Sequence, residues 1–140
     1  MTVKLEIVSP EKLLLSRDVD MVVIPAAEGD MGVLEQHAPM MVLLRGGVVS
    51  LYAGDQVTDT FFVAGGFAEV TGDSVTVLAG EAMAVNEIDR AAAEKRLEDA
   101  EKAHAQMETD DPVEEEVALE RVHSARSMIE AIEALLTGSH

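Results

Sequence analysis

Four histidines, a scatter of carboxylates and two glycine pairs are the groups in this 140-residue chain with the means to do chemistry. His37, His104, His123 and His140 stand far apart and form no H-x-x-x-H pair, so none has the spacing that holds a metal. The chain has no Cys, which excludes thiol nucleophiles, thiolate ligands and disulfides together. Glu28, Asp30 and Glu35 suggest an acid pair or a calcium loop, but the Asp-x-Asp-x-Asp-Gly spacing is missing and acidic residues are ordinary in turns. Ser9 and Ser50 lack the G-x-S-x-G setting of an activated serine. A phosphate loop needs Gly-Lys-Ser/Thr opening a helix, whereas Gly46-Gly47 and Gly65-Gly66 join extended segments. Backbone geometry is the better account of both pairs. No catalytic constellation remains, and catalysis is not expected.

The elements that must carry these residues fall into two halves with different periods. Val3 to Val8 alternates apolar and charged residues, as a half-buried strand does. Val19 to Ile24 is more continuously apolar and is expected to stop at Pro25. Further strands are expected at Met41–Arg45, Val48–Tyr52, Thr60–Ala64, Ala68–Thr71 and Val75–Ala79. Turn signals separate them at Glu28-Gly29-Asp30, Gly46-Gly47, Ala53-Gly54-Asp55, Gly65-Gly66 and Thr71 to Ser74. All ten glycines but one lie before residue 87, so the turn chemistry is concentrated in this half. Short strands at close spacing with no helix between them predict an antiparallel sandwich or barrel.

After Asn86 the period becomes helical. Asn86 is read as a cap, with Asp89 in the capping-box position. Ala93, Leu97, Ala100, His104 and Met107 then recur at steps of four and three, which places His104 in a helix seam. The run breaks at Thr109 to Pro112, where Asp111 caps a second helix and Pro112 takes its first position. Ala118, Val122, Ala125, Ile129, Ile132 and Leu136 continue the pattern, with His123 on the solvated face and Thr137 to His140 as a fraying end. The fold is therefore an all-β sandwich domain over residues 1–86, followed by an antiparallel two-helix hairpin over 87–140. The hairpin's seam is rich in Ala, which releases far less on burial than the ~1.5–3 kcal/mol of a Leu. The hairpin is accordingly expected to be weakly held and able to move.

Composition narrows the partners. Apolar residues make up 48% but aromatics only 3%, so the core must be aliphatic. A net charge of −17 with ten Lys and Arg cannot neutralise a run of phosphates, which argues against nucleic acid and against adsorption to anionic lipid. No apolar stretch approaches the roughly 18 residues of a membrane span. Met1 to Lys12 lacks the basic and apolar regions of a signal peptide, so the chain is expected to be soluble and to stay where it is made. If it works near a membrane, another protein must hold it there.

Three segments in register carry a family resemblance. Val8-Ser9-Pro10-Glu11 closes the first strand; Pro25 to Pro39 follows, containing Glu28-Gly29-Asp30-Met31-Gly32 and His37-Ala38-Pro39; then Phe61 to Val70, containing Gly65-Gly66-Phe67, leads to Val75–Ala79. In order and spacing these closely resemble the epsilon subunit of bacterial F-type ATP synthases, and the helical hairpin extends the likeness over the whole chain. The resemblance implies a sandwich of about ten short strands and a non-catalytic rotor subunit of the central stalk. Such a subunit links the gamma subunit to the c-ring, couples proton flow to ATP synthesis, and lies peripherally on the cytoplasmic face of the inner membrane. It implies c-ring contact through Glu28, Gly29, Asp30 and Met31, although Asp30 also reads as a plain turn former. Gamma-subunit contact is implied for His37, Ala38, Pro39 and Phe67, with a loop-fixing role for His37 left open.

Two departures bear on regulation. Family hairpins can contact the alpha and beta subunits transiently and block rotation through basic residues. Here Val113 to Leu136 carries six Glu against Arg121 and Arg126, a net of −4, so weak inhibition is expected. Some members also bind ATP through Ile/Leu-Asp-x-x-Arg-Ala. This chain has Ile88-Asp89-Arg90-Ala91-Ala92-Ala93, with Ala92 at the Arg position. Arg90 lies nearby, and Arg121 and Arg126 could face it. A triphosphate needs opposing positive charge. The expectation is no cofactor and no retained ATP sensing, with an ATP-sensing regulatory subunit as the alternative.

Overall fold

The computed structural model describes residues 2–108 and 110–137. Thr109 in the expected helix break, and the Gly138, Ser139 and His140 of the expected fraying end, lie outside the described residues. The chain divides into two compact units, Met1–Ala84 and Val85–His140.

Among the described residues the first unit contains eight strands: β1 (Val3–Val8), β2 (Leu13–Val19), β3 (Met21–Ala26), β4 (Gly29–Val33), β5 (Met40–Ala53), β6 (Gln56–Val70), β7 (Ser74–Leu78) and β8 (Ala82–Ala84). They run in the order β2-β1-β7-β6-β5-β3-β4, with β8 also on β6. The β1–β7 pair is parallel and the other pairs are antiparallel. Four steps of roughly 4.8 Å separate β1 from β3 across the sheet. Yet Leu5 and Ile7 share one aliphatic core with Val22, Ile24, Val49 and Val77, so the sheet is folded over on itself. This is the β-sandwich.

The folding over happens within β5 and β6, at their glycine pairs. The two arms of β6 have different neighbours: Phe67 to Val70 pairs with β7, and Phe61 to Val63 pairs with β8, while β5 follows β6 along both arms. Counting arms separately makes ten segments of the eight strands, which reconciles the expected number with the observed one. The glycine pairs therefore act as corners inside continuous strands, where turns between separate strands were expected. Close neighbours explain them: a Cβ at Gly47 would lie 2.8 Å from the Pro25 side chain, and one at Gly66 would lie 2.1 Å from the Leu78 carbonyl oxygen.

Other boundaries also differ from expectation. The segment read as one strand from Val19 divides at Asp20, whose carboxylate accepts the Gly54 N–H at 2.6 Å. Strand β3 then runs through Pro25 to Ala26. Its pairing with β5 is irregular between Val23 and Ala26, so the proline's missing N–H falls where the ladder is interrupted. The turn expected at Glu28-Gly29-Asp30 is instead Ala27-Glu28, because Ala26 pairs with Gly29. Gly29, Asp30 and Met31 are strand residues.

The second unit opens with a short 3-10 turn, Val85–Glu87, which takes up Asn86. Asp89 caps the first helix, α1 (Arg90–Ala105), accepting the Ala91 N–H at 3.1 Å; Asn86 does not serve as the cap. The second helix, α2 (Pro112–Thr137), is capped as expected by Asp111, which accepts the Val113 N–H at 2.9 Å. Arg90 pairs with Glu133 and Arg126 with Glu101, so rising numbers on one helix meet falling numbers on the other. The hairpin is antiparallel. The seam residues expected on α1, His104 among them, are buried or half-buried. On α2 the pattern holds to Ile132, whereas Leu136 is exposed and His123 is half-buried where a solvated face was expected.

Candidate functional site

The β3–β4 hairpin carries the first group of expected site residues. Its two-residue loop leaves Glu28 exposed at the tip, and Gly29 has φ +140°, a region that a side chain would strain. Asp30 is exposed on β4, and one of its carboxylate oxygens accepts from Arg45 Nη2 at 3.1 Å. Arg45 Nε also donates to the Ala26 carbonyl at 3.2 Å, and the Ala27 N–H donates to the Leu43 carbonyl at 2.8 Å. The tip is thus tied to the corner of β5. Sequence reading missed Arg45, since a lone Arg beside a glycine pair carries no motif.

The connection from β4 to β5 holds His37, Ala38 and Pro39. Gln36 turns the chain with φ +65°, and its N–H donates to the Gly72 carbonyl in the β6–β7 turn. The half-buried His37 places Nδ1 3.0 Å from the Ala38 carbonyl oxygen, so a protonated Nδ1 donates there. The loop is thus tied to the β6–β7 turn by Gln36, the His37 contact stays within the loop, and Ala38 and Pro39 are exposed.

Phe67 belongs to a larger feature. Residues directly opposed across strands point to the same face. Following the register outward from β5, Leu43 opposes Phe67, Phe67 opposes Leu78, Leu78 opposes Val8 and Val8 opposes Leu13. This row of apolar side chains crosses five strands on the outer face of one layer. Leu43 is 60% exposed, Phe67 51%, Leu78 42% and Leu13 53%, so the row is a surface and not a second core. The adjacent outward row is Met41, Glu69, Thr76, Glu6 and Ser16, which gives the stripe a mostly polar rim. Exposed apolar groups that line up with such a rim mark a docking site. Sequence alone singled out Phe67. The available signal for the others was an apolar residue at the solvent parity, as in Val77-Leu78 and Leu43-Leu44.

The residues considered for a nucleotide do not converge. Ile88 is half-buried after the 3-10 turn, and Asp89 is engaged as a cap. Arg90 is held by Glu94 and Glu133, both at 3.0 Å, and the Glu94 hydrogen bond is the main reason its pKa is raised further. Arg126 faces Glu101 at 3.6 Å. Its partner positions place it seven residues from Glu133, about 10 Å along the helix, and the exposed Arg121 is further still. Two of the three guanidinium groups already face this protein's own carboxylates. Among the described residues no cluster of His, Asp or Glu could hold a metal, and no helix is long and apolar enough to cross a membrane.

Comparison with known proteins agrees with this geometry. Residues 2–85 match the family model described as ATP synthase, Delta/Epsilon chain, beta-sandwich domain. The chain is 59% identical over 127 residues to the ATP synthase epsilon chain of Granulibacter bethesdensis, covering 91% of this chain and 94% of that one. With the epsilon chain of Gluconacetobacter diazotrophicus it shares 47% over 131 residues, covering 94% and 93%. Among solved structures it is similar to a chain of the Euglena gracilis mitochondrial ATP synthase OSCP/F1/c-ring assembly. That likeness has a TM-score of 0.73 and 27% identity, and covers 96% of this chain and 81% of that one. The folded-over sheet with its glycine corners, the helical hairpin and these likenesses agree, and the chain belongs to the bacterial ATP synthase epsilon chain family.

Proposed function

We propose that this chain is a non-catalytic rotor subunit of the central stalk, joining the gamma subunit to the c-ring so that proton flow drives ATP synthesis elsewhere in the complex. The observation that carries this reading is the exposed apolar row Leu13, Val8, Leu78, Phe67 and Leu43. A protein with a net charge of −17 gains nothing from leaving that surface wet unless a partner covers it. The gamma subunit is the assigned partner, with Ala38 and Pro39 at the same end of β5. The Euglena assembly to which the chain is similar is named as containing a c-ring, and the Glu28 to Met31 hairpin is the ring contact we assign. The subunit then lies peripherally on the cytoplasmic face of the bacterial inner membrane, held there by its partners.

The test is direct binding. The chain and its gamma subunit are mixed and the complex is quantified by titration, with Phe67→Ser as the variant. Truncating a buried anchor of this kind costs about 2 kcal/mol or more, roughly a thirty-fold loss of affinity. The fold should persist, because Phe67 faces outward. Absence of a complex with the unaltered chain would overturn the reading.

The hairpin is proposed to be structural here, with only weak, transient contact to the alpha and beta subunits and no bound ATP. The pairing of Arg90 and Arg126 with the chain's own carboxylates supports this. Calorimetric titration with ATP should show no saturable binding; binding abolished by Arg126→Ala would restore the nucleotide-sensing alternative.

A further inference from the structure

Arg45 occupies an unusual place. It sits in β5 between Leu44, which is in the core, and the Gly46-Gly47 corner, two positions after Leu43 and at the same outward parity. Its guanidinium leaves β5 sideways and makes two contacts on the β3–β4 hairpin, Nε to the Ala26 carbonyl at 3.2 Å and Nη2 to the Asp30 carboxylate at 3.1 Å. Two residues earlier, the Leu43 carbonyl accepts the Ala27 N–H at 2.8 Å. The three bonds hold the start of the loop, the strand end before it and the strand beginning after it. All three come from the stretch of β5 whose Leu43 side chain ends the apolar row.

The corner needs such a tie. The β3–β5 ladder is irregular between Val23 and Ala26, and Pro25 contributes no N–H, so the hairpin end of β3 is short of ordinary sheet bonds. Strand β4 is the last strand of the sheet and pairs only with β3. A two-stranded ribbon projecting from a sheet edge is flexible unless something else braces it. Arg is suited to the task, because its planar fork can serve a carbonyl and a carboxylate in one fixed geometry.

We infer that Arg45 is a positioning residue, a clamp that fixes the β3–β4 hairpin rigidly to the arm of β5 carrying the apolar row. The inference rests on the functional reading above and deepens it. If the row grips the shaft and the hairpin touches the ring, Arg45 and the Ala27–Leu43 bond are the shortest rigid path between the two contacts. The clamp also consumes the Asp30 charge, which leaves Glu28 as the unpaired carboxylate nearest the tip.

The first test is amide hydrogen exchange on the intact chain. Arg45→Met keeps the aliphatic stem and deletes both bonds, while Arg45→Lys keeps the charge but not the fork. In Arg45→Met the Ala27 amide should exchange about three- to ten-fold faster, with the Leu5 and Val22 amides unchanged. Arg45→Lys should fall between the two. Asp30→Asn should speed exchange in the unaltered chain and add nothing in the Arg45→Met background, because the bond it removes is already gone. Unchanged exchange at Ala27 in Arg45→Met, or an equal speeding at the Leu5 and Val22 amides, would overturn the clamp. The second test uses the assembled synthase in vesicles. Arg45→Met should lower proton pumping per ATP hydrolysed, and Arg45→Lys should restore part of it; pumping equal to the unaltered complex would overturn the proposed transmission. Failure of the unaltered chain to bind its gamma subunit would instead overturn the functional reading, while the exchange result would still decide the clamp.

Discussion

Replacing Gly66 with Ala should be the most damaging single-methyl change in the sandwich. Gly66 has φ +118°, where a non-glycine residue costs about 1–3 kcal/mol. Its added Cβ would lie 2.1 Å from the Leu78 carbonyl oxygen and 2.9 Å from Ala79 Cα, both backbone atoms that cannot rotate away. Relief requires β7 to move by about 1 Å, and overpacking of this sort costs about 1–3 kcal/mol more. Together about 2–6 kcal/mol is lost from a total that is typically 5–15 kcal/mol. Two controls separate the causes. Gly54 has φ +61° but open space around a Cβ, so Gly54→Ala should cost about 1 kcal/mol; Gly80 has neither problem, and Gly80→Ala should be neutral or slightly stabilising. Urea unfolding followed by tyrosine fluorescence is the assay. With no Trp and one Tyr, at position 52 in β5, that signal reports the sandwich and leaves the helices silent. A Gly66→Ala variant within 1 kcal/mol of Gly54→Ala would refute the argument from the Leu78 contact.

Three further outcomes are expected. Deleting the residues after Asn86 should raise ATPase activity of the assembled catalytic complex by less than about two-fold, because the second helix has a net charge of −4 where family hairpins block rotation through basic residues; a large rise would show real inhibition. Asp111→Ala should cost about 1 kcal/mol and speed amide exchange at Val113, and unchanged exchange would mean that the cap contributes nothing. Glu98 is held below the usual carboxylate pKa, first by the hydrogen bond from Lys102 and then by its charge. A depressed folded pKa gives support that is present at neutral pH and is lost as pH falls through the lowered value. Circular dichroism should therefore show Glu98→Gln less helical than the unaltered chain at neutral pH and equal to it at strongly acid pH; a constant difference across that range would refute the linkage.

The sequence made the two periods and most strands legible because their apolar residues alternate or recur at helical steps. Strand β2 was missed because Leu13 to Val19 shows no alternation and buries only Val19 at the sheet's edge. Strand β4 was missed because Gly29 and Asp30 read as turn residues, and β8 because three residues give no period. The glycine corners looked like breaks, since a strand that changes layer and a strand that stops share the same local signal. At the first helix, Asn86 and Asp89 both suit a cap, and the 3-10 turn decided for Asp89. Of the candidate surface, Phe67 was visible from its motif, but the row needs register. Arg45 needed more, since Asp30 lies fifteen residues before it and meets it only when the hairpin folds back.

The parallel β1–β7 pair bears on how the chain is made. Leu5 opposes Val75, seventy residues later, so the first strand has no neighbour on that side until most of the protein has left the ribosome. At about 5–20 residues per second, Leu5 and Ile7 wait roughly 4–14 s with that edge of their strand unpaired. The β5–β6 hairpin is local and can form early, whereas closure of the barrel-like shell is a long-range step and should set the folding rate. Newly synthesised chains therefore pass through a state with a sticky leading end, which chaperones would have to shield until the seventh strand arrives.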